Sequence, residues 1–228
     1  MKIGVISDIH SNAVALETVL SRLEDANVKE YICAGDVVGY YSRPNETISV
    51  LQEVNPLTVR GNHDDGVMTE TPTSFNYYAK RSLDWNRRQL TEESLRFLRQ
   101  LPPTIRTEIS GREIFIAHGS PKNPISEYIH EDDITEEFLD YSFDRSPEIV
   151  ILGHTHKPYV KTVGDTLVLN PGSVGQPRDR DPRASFAVLK TTEPSAEIRK
   201  AWYNIDEIAE HTKEHLPRKL ADRLYEGK

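Results

Sequence analysis

The feature that most constrains this chain is where its histidines fall. Five of the eight lie in short polar clusters that follow short apolar runs. The clusters are Asp8-Ile9-His10, Gly35-Asp36, Gly61-Asn62-His63-Asp64, His118-Gly119 and Gly153-His154-Thr155-His156, after runs ending near residues 7, 34, 60, 117 and 152. A short apolar run bounded by turn residues reads as a buried strand. Strand ends are where α/β sheets expose functional loops. The fold therefore has to present several such strand ends where their side chains point over a sheet edge.

The pattern between the clusters alternates. Residues 3–7, 30–34 and 57–60 read as strands, and 13–26 and 44–54 as helices, with Asn12 at an N-cap and Pro44 at a first helical turn. This alternation predicts βαβ units and a largely parallel sheet. Two helices are expected over 74–88 and 91–101, the second capped by Thr91 and stopped by Pro102-Pro103. Strands then dominate, at 104–109, 112–117, 148–152, 158–163, 166–170, 184–190 and 196–203, with hairpin turns at Ser110-Gly111 and Gly164-Asp165. A helix near 133–141 and a closing helix over 205–226 complete the reading. Two sheets with helices outside accommodate this order.

The donors are carboxylate, amide oxygen and imidazole without thiols, a set that suits Mn, Fe, Zn or Ni rather than a soft metal. They exceed what one ion needs, and one carboxylate can bridge two ions. In His154-Thr155-His156 an extended backbone would turn both imidazoles to one side. Any one cluster alone is more often a solvated surface feature. Five in succession, each after a strand, favour a metal site.

Composition narrows the partners. Lys and Arg total 28 and Asp and Glu 36, so the formal net charge is −8. Such a chain repels phosphate backbones at long range, which argues against general nucleic-acid binding. It leaves a phosphate substrate open, because bound cations invert the local field. Cys33 is the single cysteine, which excludes an internal disulfide and predicts an inert core thiol. The early charged residues leave no export-signal core, and no apolar run approaches the ~20 residues that span a bilayer. A cytoplasmic location is expected.

The order Asp-x-His, Gly-Asp, Gly-Asn-His-Asp, His, Gly-His-Thr-His resembles the calcineurin-like metallophosphoesterase superfamily. Residues 170–179, Asn-Pro-Gly-Ser-Val-Gly-Gln-Pro-Arg-Asp, resemble its small prokaryotic phosphodiesterase-like branch. The resemblance spans residues 3–176. It implies a four-layer αββα sandwich of two mixed sheets, expected as one domain over 1–228 with a helical insertion about 74–101 and a C-terminal helix about 205–226. It implies two divalent ions, manganese expected first, with iron, nickel or zinc as options. Asp8, His10 and His156 would hold one ion, Asn62, His118 and His154 the other, and Asp36 would bridge them. His63 would face the substrate as general acid or phosphate contact. Hydrolysis of a phosphodiester or phosphomonoester by a metal-bridging hydroxide is the implied activity.

The chain departs from parts of this family. Gly39-Tyr40 stands where the protein phosphatases and diadenosine tetraphosphatases carry a phosphate-binding Arg, and Gly39 replaces the Asp that orients the catalytic histidine of the protein phosphatases. Ser11 stands where Gly commonly follows Asp-x-His. Arg178 is a candidate substitute phosphate contact, against a surface ion pair with Asp179 or Asp181. Arg180 and Arg183 read as a solvated charged loop. Tyr40, Tyr41, Tyr77 and Tyr78 read as packing residues or stacking surfaces, and His130, His211 and His215 as surface residues. Competing readings are a hydrolase of dinucleotide polyphosphates or cyclic nucleotides and, less favoured because all seven ligands are retained, a protein-binding scaffold.

Overall fold

A computed structural model describes residues 1–69, 73 and 75–228. The first strand, β1 (Lys2–Ile6), lies at the centre of one five-stranded sheet. Parallel to it run β2 (Glu30–Cys33) and then β3 (Leu57–Thr58); antiparallel on its other side run β9 (Ala184–Lys190) and β10 (Ser195–Ala201). A second sheet has the order β4 (Thr104–Ile109), β5 (Arg112–Ala117), β6 (Ile149–Ile151), β8 (Thr166–Asn170), β7 (Tyr159–Val163). Its inner pairs are parallel and its two outer pairs antiparallel, so both sheets are mixed.

Alternation along the strands sorts side chains into layers, because neighbouring residues point to opposite faces. Ile3 and Val5 of β1 meet Ile114, Ile116, Ile149, Ile151, Leu167 and Leu169 between the two sheets. Their neighbours Phe115, Val150 and Val168 point the other way, against the segment that carries Ile134, Leu139 and Phe143. On the far face of the first sheet, Ile6, Phe186 and Val188 join the helices. Each fully buried Ile or Leu contributes ~1.5–3 kcal/mol.

The helices are α1 (Ala13–Asp25), α2 (Pro44–Val54), α3 (Asn62–Met68), α4 (Tyr77–Gln89), α5 (Glu92–Gln100), α6 (Glu136–Ser142), α7 (Ile205–His215) and α8 (Arg218–Glu226). Local chemistry sets their starts. Asn12 accepts from Ala15 N at 3.1 Å, Thr91 accepts from Ser94 N at 3.1 Å, and Pro44 occupies the first turn of α2. The helix-outside, sheets-inside order is the four-layer sandwich expected. Among the described residues no helix is long and apolar enough to cross a membrane.

Four expectations need correction. The closing helix is two helices, because Leu216 is extended and Pro217 cannot continue the α7 ladder. Residues 61–64, read as a polar cluster, open the unanticipated α3. The strand over 57–60 pairs only at Leu57–Thr58, since Arg60 N turns away to bond Pro102 O. The helix near 133–141 starts at Glu136, after a separate short 3-10 turn at Glu131–Asp133. The proposed start of the 74–88 helix, at Ser74, lies outside the described residues.

Candidate metal centre

All five clusters converge at one edge of the sandwich. Asp8 and His10 follow β1, Asp36 follows β2, and Asn62 and His63 form the first turn of α3 after β3. His118 follows β5, and His154 and His156 follow β6, so the second sheet contributes three imidazoles. The ligand atoms of Asp8, His10 and His156 lie within 4.8 Å of one another. So do those of Asp36, His118 and His154, and those of His10, Asp36 and His63. Asn62 Oδ1 is 3.0 Å from His118 Nε2.

The backbone is bent to achieve this. Asp8, His10, Asp36, His154 and His156 all have φ between 52° and 67°, the left-handed region that non-glycine residues rarely adopt. Such strain concentrates at functional sites. Gly61 allows a close approach: a Cβ there would stand 2.1 Å from Asp36 Oδ1.

The far side of each imidazole is fixed by the backbone. His10 Nδ1 bonds Val38 O at 3.2 Å, His118 Nδ1 bonds Ala34 O at 2.8 Å, and His156 Nδ1 bonds Gln176 O at 2.6 Å. His154 Nε2 bonds Ser126 O at 3.1 Å. A carbonyl only accepts, so each of these nitrogens carries the hydrogen and, in the neutral ring, turns the other nitrogen's lone pair inward. This is the supporting arrangement that metal-binding histidines use.

The carboxylates are split in the same way. Asp8 Oδ2 accepts from Ser7 Oγ at 2.7 Å and His154 N at 3.1 Å, and Asp36 Oδ1 accepts from His63 N at 2.8 Å. Asp8 Oδ1 and Asp36 Oδ2 are buried and make no hydrogen bond among the described residues. Around them stand imidazole nitrogens at 3.2 to 3.7 Å: His156 and His10 near Asp8, His118 and His10 near Asp36. Two buried carboxylate oxygens ringed by imidazole nitrogens fit a divalent cation.

The electrostatics agree. Burial opposes ionisation of Asp8 and Asp36, but the surrounding imidazoles outweigh it and hold both carboxyls well below the usual range. Burial, with help from Arg178 at His156, pushes His154 down to about 3 and His156 to about 4. His118 goes the other way, to about 9, because Asp36 outweighs its burial. Without metal, the Asp36–His118 pair keeps a proton that a bound cation would displace.

His63 differs from the ligands. Burial pushes its pKa well below the ordinary value, and its Nδ1 is buried without a hydrogen-bond partner among the described residues. The reason is Gly39, at φ +107°: a Cβ there would lie 2.3 Å from that nitrogen, so backbone fills the space a carboxylate would need. Packing orients the ring instead, against Tyr40 at 4.6 Å, His10 at 4.7 Å and Phe75 at 4.9 Å. Asp64 spends its carboxylate on Gly61 N and Val38 N.

Arg178 reaches the same place by another route. Its guanidinium donates to Tyr40 Oη at 3.1 Å and Gln176 Oε1 at 3.2 Å, and lies 5.7 Å from the Tyr40 ring centre. The alternative ion pair is overturned: Asp179 pairs with Lys200, and Asp181 with Arg183 and Lys200. Tyr41 is a buried packing residue whose hydroxyl has no partner. Cys33 is buried, and burial pushes its thiol up. His130 and His215 are exposed, but His211 is half-buried and shares a 2.7 Å hydrogen bond with Ser42 Oγ, a correction to its reading as a surface residue.

Several supporting residues went unread in the sequence. Asn86 of α4 accepts from Ser11 Oγ at 2.6 Å and Gly39 N at 3.1 Å, and donates to Tyr41 O at 3.0 Å. Ser173 Oγ donates to Asp8 O at 2.7 Å. Tyr128 stacks on His154 with ring centres 3.8 Å apart. The signal for Asn86 was present: it continues the buried stripe Ala79, Ser82, Leu83.

A sandwich of two mixed sheets with a buried Asp, Asn and His cluster at one edge defines a class of metal-dependent hydrolase. The sequence profile of the calcineurin-like phosphoesterase superfamily domain matches residues 1–194, and the chain belongs to that family. It is 36% identical to MJ0912 of Methanocaldococcus jannaschii, an uncharacterised protein, over 99% of this chain and 98% of that protein. It is 25% identical to the phosphodiesterase MJ0936 of the same organism, over 75% of this chain and 83% of the relative. The crystal structure of a metallophosphoesterase from Sphaerobacter thermophilus superposes with a TM-score of 0.81 at 32% identity, covering 100% of this chain and 99% of that one. The protein is thus a metal-dependent phosphoester hydrolase by family.

Proposed function

We propose that the chain hydrolyses a small phosphodiester, with a phosphomonoester as the lesser substrate, at a two-ion centre. Asp8, His10 and His156 would hold one ion, Asn62, His118 and His154 the other, and Asp36 would bridge them. The carrying observation is the pair of buried, unbonded oxygens, Asp8 Oδ1 and Asp36 Oδ2. A bound divalent pair supplies an acidified water and neutralises phosphoryl oxygens. The chain's own residues hold the rest of the reaction in place. Backbone carbonyls fix the imidazole tautomers. His63 lines a cavity beside the ligands and offers a hydrogen bond to a phosphoryl or leaving-group oxygen. Arg178, held by Tyr40, adds positive charge at the rim. Manganese is the ion we expect, with iron, nickel or zinc as options. A diester preference is favoured by the phosphodiesterase name of MJ0936 and by Gly39-Tyr40 in place of the phosphatase Arg.

The test is a phosphoester panel on stripped protein with each metal added back. It compares bis-p-nitrophenyl phosphate, p-nitrophenyl phosphate, cyclic nucleotides, dinucleotide polyphosphates and a phosphoserine peptide. Diester hydrolysis should exceed peptide dephosphorylation; the reverse would overturn the proposal. His63→Ala should lower turnover on alkyl esters by about 10²–10⁴-fold if the ring donates a proton. A smaller loss is then expected for p-nitrophenyl esters, whose leaving group departs unprotonated. Equal losses on both would leave phosphate contact as its role.

A further inference from the structure

A cavity of about 230 Å³ opens directly beside the candidate ligands. Asn62, His63 and His154 form one part of its lining, and the rings of Tyr40, Phe75 and Tyr128 form much of the rest. Phe75 packs against His63 with centres 4.9 Å apart, and Tyr128 stacks on His154 at 3.8 Å. Tyr128 nevertheless remains 50% exposed, an aromatic ring left partly open at the site. Arg178 holds the Tyr40 hydroxyl at 3.1 Å, so one of the three rings is fixed by a guanidinium rather than by core packing alone.

Size selects the occupant. A cavity of roughly 150 Å³ holds benzene, whereas drug-sized ligands take about 300–1,000 Å³. The volume here suits one substituted ring and is too small to enclose a dinucleotide. The aromatic lining selects its chemistry, since ring faces and edges attract other rings beyond the simple gain from buried area.

We propose that this cavity is a subsite for a single aromatic ring on the organic group of the ester, set by Phe75 and Tyr128. The inference rests on the phosphoesterase reading above and names its substrate class: small aryl or arylmethyl phosphoesters. The phosphoryl group then lies toward Asn62 and His154, and the ring lies between the metal ligands and the start of α4, where Asn76 and Ala79 complete the lining.

Titration calorimetry on the manganese-loaded protein tests it with two phosphonate monoesters of equal charge and near-equal size, methyl benzylphosphonate and methyl cyclohexylmethylphosphonate, whose ring is joined by an uncleavable P–C bond and whose one ester bond would have to release methoxide. The benzyl ester should bind up to about 10-fold more tightly. Phe75→Leu and Tyr128→Leu should each shrink that ratio, with metal content and melting temperature recorded to confirm folding. Equal affinities in the unaltered protein, or an unchanged ratio in both variants, would overturn the subsite. Hydrolysis of the matching phosphate diesters separates the two readings. Turnover of both without aromatic preference removes the subsite alone. Aromatic preference in binding without turnover of either keeps the subsite and overturns the phosphoesterase reading.

Discussion

Asp36 occupies the position where the site is most sensitive to a single atom. One of its oxygens is taken by His63 N and the other is unbonded within 3.6 Å of both His10 and His118. Asp36→Asn keeps the shape but removes the charge shared by the two ligand groups. Elemental analysis of the reconstituted variant should therefore show both ions weakened; two tightly held ions would exclude a bridging role. The convergence of these residues was legible in sequence because each follows a strand end. Their support was not. Asn86, Ser173 and Tyr128 act on the cluster from distant segments; the stripe of α4 marked Asn86 as buried but not what it bonds, and Ser173 and Tyr128 stand in loops with no spacing to betray them. Arg178 was read as a candidate phosphate contact, a role that stays a proposal, and its grip on Tyr40 was not legible because it depends on two loops meeting.

Among the elements, α4 supports the site from outside the ligand set, through Asn86. That side chain ties the turn at Ser11 to the turn at Gly39 and Tyr41, and all of these groups are buried. Asn86→Ala removes the acceptor of Ser11 Oγ and leaves the Tyr41 carbonyl without this donor. Leaving buried polar groups unsatisfied costs about 1–3 kcal/mol each. A lower urea midpoint with an unchanged slope is expected, together with reduced activity; an unchanged midpoint would mean that water replaces the amide. Elements with strong local signals were legible at their stated bounds: β4 by alternation, β5, β8 and β9 as apolar runs bounded by turn residues, α2 by its proline. α3 was missed because seven residues beginning Asn-His-Asp-Asp-Gly show no apolar period. The break at Pro217 was missed because the apolar stripe resumes beyond it, through Leu220, Ala221 and Leu224.

Across the whole molecule, charge fastens the Arg178 segment to β10, and a backbone hydrogen bond fastens it to the end of α8. Asp181 pairs with Arg183 at 2.7 Å and Lys200 at 3.0 Å, and Arg180 N donates to Gly227 O at 2.9 Å. Hydrogen bonds from Arg183, opposed by partial burial and aided by Lys200, hold the Asp181 carboxyl below its ordinary 3.8. A depressed carboxyl stabilises the fold above its unfolded pKa and loses that contribution as pH falls through the folded value. Asp181→Asn should melt below the unaltered protein at pH 7, and the gap should begin to narrow below about pH 4 and close only as pH falls through the lower folded value. A gap that persists in acid would assign the effect to lost hydrogen-bond geometry rather than charge. The ligand set has a different consequence at this scale. Its side chains arrive from both sheets, so unfolding either sheet scatters the set and releases whatever it holds. The melting curve thereby becomes a counter. At saturating metal, each bound ion adds ~1.4 kcal/mol of stability per tenfold rise in free ion, and two ions add ~2.7. The slope of stability against the logarithm of metal concentration therefore reads the number of ions without any substrate, and a slope of one ion would reduce the proposed pair to a single centre.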